Sequence, residues 1–120
     1  MMGVFVTLGG LIVGILLGAF FPLSIPLALS KYVAVAILAA LDTGFGGIRS
    51  GMEERFDLAV FISGFTANTL LAAGLTYLGD QLGIDLYLAA IVVFGVRIFE
   101  NLAMLRRLIL GRFWTFSRKA

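Results

Sequence analysis

The sequence predicts an all-α membrane protein of four transmembrane helices, both termini cytoplasmic, plus a short amphipathic basic C-terminal extension. Three observations predict it. First, 61% of the 120 residues are hydrophobic and 13% are charged, against about half and about a quarter in a soluble domain. A chain of this length has too little interior to hide that surplus from water. Second, the apolar residues fall into four runs parted by short polar turns. Third, Lys and Arg gather beside alternate turns, as the positive-inside rule requires.

The first run, residues 3–21, is about long enough to cross the ~30 Å hydrocarbon core. No Lys or Arg precedes it and no small-x-small cleavage site follows, so it reads as a span rather than a leader. Pro22 and Pro26 punctuate the next turn. The second run covers residues 25–48, carrying Lys31 near its start and Asp42 towards its end. After the polar loop RSGMEERFD, the third run covers residues 58–79, and GDQLGID forms a short link. The fourth run covers residues 86–107, and residues 108–120 form an interfacial basic tail; the whole chain is one integral membrane domain.

The fourth run has two readings. It could end near Val96, leaving Arg97 among the headgroups, or it could continue through Arg97, Glu100 and Asn101. Residues 86–96 supply only 11 apolar positions, too few to cross. A continuous helix is the expectation.

Loop two holds Arg49 and Arg55, and the tail holds Arg106, Arg107, Arg112, Arg118 and Lys119, whereas the other turns contribute only Lys31. Loop two and the tail are therefore expected in the cytoplasm, and four spans satisfy that parity. Arg49, Arg106, Arg107 and Arg112 are candidates for contact with cytoplasmic headgroups, and Trp114 suits the same level. Ordinary topology anchoring accounts for such a tail; the sharper reading is lipid sensing or partner docking.

Gly10, Gly14 and Gly18 repeat every fourth residue in the first run, which puts them on one helix face. Such a glycine zipper lets another backbone approach closely, and close contact drives helix association in lipid. Either another helix of this chain fills the groove, or a second copy or partner protein does.

Charges at bilayer depth are expensive and are functional candidates by default. Asp42, Asn68, Arg97, Glu100 and Asn101 qualify. With ~1.5 Å of rise per residue, Asp42 and Glu100 come out about 7 and 6 Å past the midplane, with Arg97 between them. The economical arrangement is one internal cluster of Asp42, Arg97, Glu100 and Asn101, with Asn68 bonding across, because separated members would each leave an unpaired charge. Its role is structural register or, alternatively, a polar path for transport. Arg97 can pair with Asp42 or with Glu100.

The chain has no Cys and no His, which removes disulfides, the commonest general base and the usual metal ligands. The triplet Asp42-Thr43-Gly44 resembles the aspartic-protease signature, but it lies in a helical run. Ser30 and Lys31 are sequence neighbours whose side chains diverge. FGGIRSG (residues 45–51) lacks phosphate-loop spacing and reads as a helix end, its glycines releasing the backbone. No catalytic pair, metal site or cofactor is expected, nor nucleic-acid binding or a small-molecule substrate. A faint internal echo links the helix openings at Tyr32 and Tyr87.

Residues 38–107 carry the blocks LAALD-x-x-FGGIR, FISGF-x-x-N, YLGD-x-LG-x-DLYLAA and FG-x-RIF-x-NLA-x-x-RR. In these it resembles the bacterial small basic protein family, integral membrane proteins with a domain of unknown function. The resemblance gives Asp42, Gly46, Gly47, Arg49, Ser63, Asn68, Asp80, Asp85, Arg97 and Asn101 a place in the family pattern. It puts Glu100 at a variable position, which favours Asp42 as the partner of Arg97. It transfers no activity. Members of that family are often encoded near division and envelope genes, so the resemblance implies an accessory role there in the bacterial inner membrane.

Overall fold

The computed structural model describes residues 2–119, with side chains from Gly3 to Trp114. Four α-helices follow in order: α1 (Met2–Phe20), α2 (Ser30–Met52), α3 (Leu58–Leu82) and α4 (Tyr87–Lys119). A single 3₁₀ turn, Leu27–Leu29, leads into α2. Each helix contains a stretch long and apolar enough to cross a membrane.

Helix α2 is the centre of the bundle and packs against all three others. It runs parallel to α4, as the pairs Lys31–Tyr87, Asp42–Arg97 and Met52–Arg112 show from one end to the other. The helices opening at Tyr32 and Tyr87 thus lie side by side. The core is small, with Val35 and Ala39 of α2, Ala72 of α3 and Ala90 of α4 gathered around one large side chain, Phe94 of α4. Alanines let the backbones approach closely, the contact on which helix packing relies wherever lipid surrounds the helices.

Helix α2 extends four residues beyond the Ile48 boundary expected from sequence. Its glycines do not release the backbone. Gly44, Gly47 and Gly51 stay helical and form a contact seam. A Cβ at Gly47 would sit 2.5 Å from the Phe61 ring and 2.8 Å from Thr7 Oγ1, and one at Gly51 would sit 2.8 Å from the Val4 backbone nitrogen. Against this seam α1 lays only its first two turns. Thr7 Oγ1 returns a hydrogen bond to the Gly3 carbonyl at 2.8 Å, so the hydroxyl is satisfied inside the contact.

From Leu8 to Phe20 every residue of α1 is exposed. The helix leaves the bundle, and the molecule measures 60 × 32 × 24 Å.

The turns have local causes. Asp57 caps α3 by accepting from the Ala59 and Val60 amides at 2.9 and 3.3 Å, meeting donors that a helix start leaves orphaned. Gly83 closes α3 in the left-handed conformation, φ 70°, where only glycine sits without strain. The returning chain then folds over Gly79, against which Ile84 and Leu86 press so closely that no Cβ fits.

Helix α4 is continuous through Arg97, and residues 108–119 prolong the same helix rather than forming a separate segment. The side chains of Arg118 and Lys119, counted in the basic tail, lie outside the described residues.

Candidate functional site

Asp42 lies midway along α2 and is 1% exposed. Arg97 of α4 approaches it, Nε to Oδ1 at 3.4 Å, yet half of the arginine side chain remains exposed. The contact is an ion pair without hydrogen-bond geometry. Both Asp42 carboxylate oxygens are buried with no hydrogen bond, as are the Thr43 and Thr69 hydroxyl oxygens. Buried polar atoms in folded proteins are nearly always bonded, so this layer is the most polar and least satisfied part of the interior.

The cluster expected from sequence is divided. Asn101 turns to the next layer, where its Oδ1 accepts from Arg49 Nη1 at 3.2 Å, and its amide nitrogen comes within 3.6 Å of the Cβ position at Gly46. Glu100 is exposed and Asn68 half-buried, and neither has a hydrogen-bond or ion-pair partner among the described residues. The reason is angular. On α4 the core face runs through Ala90, Phe94, Asn101 and Leu105. Arg97 sits at its edge, and Glu100 lies ~60° further round at ~100° per residue.

Two of the arginines expected at headgroups are engaged within the chain. Arg49 pairs with Glu53 at 3.1 Å as well as with Asn101. Arg112 donates to the Met52 carbonyl at 2.8 Å, satisfying an orphan acceptor at the end of α2. Arg106 and Arg107 remain exposed. Glu53 also pairs with Arg55. Hydrogen bonds from Arg49, then Arg55, hold the Glu53 carboxyl below the usual carboxylate range.

A second polar group, at the opposite end, was not anticipated. Lys31 lies 3.2 Å from Asp80 and 3.6 Å from Asp85 and sits over the Tyr87 ring, with the Tyr32 hydroxyl 3.5 Å from Asp80. Its partners are separated by about fifty residues in sequence; the only signal was that each stands at the same end of an apolar run.

Among the described residues nothing fills the glycine ladder of α1: at Gly10, Gly14 and Gly18 no heavy atom lies within 4 Å of a Cβ position.

A layered bundle with paired charges at both ends narrows the comparison. Residues 25–110 match the family described as "Protein of unknown function (DUF1290)". The chain belongs to this family. It is 50% identical over 110 residues to the "Small basic protein" of Bacillus subtilis, covering 92% of this chain and 90% of that one. An uncharacterized protein of Mycobacterium bovis and one of Mycobacterium tuberculosis are each 46% identical over 106 residues, covering 87% of this chain and 88% of theirs. No solved structure matches. The family match covers all of α2 and α3, most of α4 and none of α1.

Proposed function

We propose that this protein is a non-enzymatic, multi-pass component of the bacterial cytoplasmic membrane with both termini cytoplasmic. It joins neighbouring transmembrane helices through α1 and serves the envelope or division machinery as an accessory or scaffold. The observation that carries this reading is the open ladder of Gly10, Gly14 and Gly18 on a helix that touches its own bundle only at its first two turns. In lipid, a flat glycine face is a packing surface, and this one has no occupant among the described residues. The basic side chains at the far end of α4 supply the topological bias.

The test is the mass of the purified protein in native nanodiscs, wild type beside Gly14→Leu. A defined assembly lost in Gly14→Leu supports the reading. A monomer in both, with no partner helix crosslinked through residue 14 in cells, removes it.

A second reading, a small transport component with a polar path past Asp42, Asn68 and Arg97, rests on the buried, unbonded oxygens of Asp42, Thr43 and Thr69. Flux through proteoliposomes abolished by Arg97→Gln, with the assembly intact, would favour it over the scaffold.

A further inference from the structure

Arg97 and Glu100 pose a problem that the single chain does not solve. Both are exposed, both lie on the outer flank of α4, and they sit level with the middle third of α2. The membrane reading above places them at a depth where ionisable side chains are costly and normally face a bundle interior. Arg97 has one ion-pair partner, Asp42, and makes no hydrogen bond among the described residues, so most of its guanidinium donors are unused. Glu100, three residues on, could have turned back to Arg97, yet no ion pair joins them. One face therefore presents a cation with spare donors and, one turn along, an acceptor with no donor.

That face continues. Val93, Arg97, Glu100, Met104 and Arg107 follow at intervals of four, three, four and three residues, the spacing of a seam that stays on one side of a helix packed against another. Val93 is 53% exposed. The stripe is distinct from the core face of α4 and lies on a different helix from the glycine ladder.

We propose that two copies of this chain pair through this stripe of α4, Arg97 of each bonding Glu100 of the other. The argument for a second copy is self-complementarity. Two copies in one membrane share an orientation, so a two-fold axis along the membrane normal brings α4 beside α4 in parallel. Under that axis a contact from residue 97 to residue 100 is made twice. The three-residue offset is ~4.5 Å of rise. Both side chains lean the same way along their helices, so the long, flexible arginine side chain spans that offset. Each guanidinium then bridges Asp42 of its own chain and Glu100 of its neighbour, burying the exposed half of Arg97. A different partner would have to supply a donor and an acceptor at the same two heights.

The chain has no cysteine, so single cysteines report cleanly. Val93→Cys, Gly14→Cys and Leu70→Cys (the last on exposed α3) are to be oxidised in proteoliposomes and read as covalent dimer. Val93→Cys is expected to crosslink strongly and Leu70→Cys only at background. Adding Glu100→Leu to Val93→Cys should weaken pairing about tenfold for the lost interhelical bonds. Glu100→Gln, which keeps an acceptor, should retain it. Glu100→Leu replaces an exposed charge with a lipid-soluble side chain, so loss of folding does not explain loss of dimer. The proposal is overturned if Val93→Cys stays at background or if Glu100→Leu leaves the dimer unchanged. Crosslinking through Gly14→Cys alone would sink this pairing and keep the α1 reading; through Val93→Cys alone, the reverse.

Discussion

Helices α1 and α2 carry similar glycine patterns and meet opposite fates. In α2, Gly44, Gly47 and Gly51 face Thr7, Phe61 and Val4, and at Gly47 and Gly51 added side chains would collide with ring and backbone. In α1, Gly10, Gly14 and Gly18 face open space. Small-residue spacing creates a groove, but what stands opposite decides whether it is a joint inside the molecule or a surface outside it. The α2 seam is closed by neighbours already held in place by the loop beside it, where Phe56 packs on Gly3 and stacks tilted against Phe61 with ring centroids 5.4 Å apart. The outer part of α1 has no such neighbour.

The sharpest way to break this contrast is to fill both grooves. Gly51→Leu must displace the Val4 backbone, and overpacking of that kind costs about 1–3 kcal/mol or more. Its thermal midpoint, measured on monomer dissociated in detergent, is expected to fall well below wild type, while Gly14→Leu leaves the monomer's midpoint unchanged. Equal midpoints for the two variants would erase the distinction.

Next in size is the polar layer. Asp42→Leu strands Arg97, which is half exposed and can snorkel towards water, so the loss is expected at about 1–3 kcal/mol rather than the full penalty for a broken buried pair. The double variant Asp42→Leu with Arg97→Leu should recover most of it. A double-variant stability equal to the sum of the two single losses would show that the residues do not interact.

Smaller again, Arg112→Ala removes one hydrogen bond to the end of α2, about 0.5–1.5 kcal/mol, visible as faster amide exchange at the α2 C-terminus. Smallest is a pH effect at the loop. Because the folded Glu53 carboxyl is held below its ordinary value by Arg49 and Arg55, its contribution is full above that value, about 4.3. It is lost as pH falls through the lowered one. Wild type should therefore exceed Glu53→Gln in stability at neutral pH and converge with it in acid.

The number, order and approximate ends of the helices were legible because the signal for lipid-facing segments is compositional and needs no knowledge of partners. Asp42 and Arg97 stood out for the same reason, as charges inside apolar runs. Other features depended on angles and on distant neighbours. Glu100 and Asn101 differ by one residue and hence ~100° around α4, enough to send one to Arg49 and leave the other outside. Gly47 and Gly51 looked like a helix end because glycine breaks helices in water; in a bundle they are the contact itself. The end-cluster of Lys31, Asp80 and Asp85 was hidden by the lengths of helix separating its members.

Helix α4 also has a mechanical character. Its 33 residues extend ~50 Å, well beyond a ~30 Å hydrocarbon core, and no proline interrupts them. It is a shaft with three polar bearings on α2, the Asp42–Arg97 pair, the Arg49–Asn101 bond and, further along, the Arg112 bond to Met52. A push or twist delivered to its C-terminal end would act along one continuous helix on the layer where Asp42 and Arg97 meet.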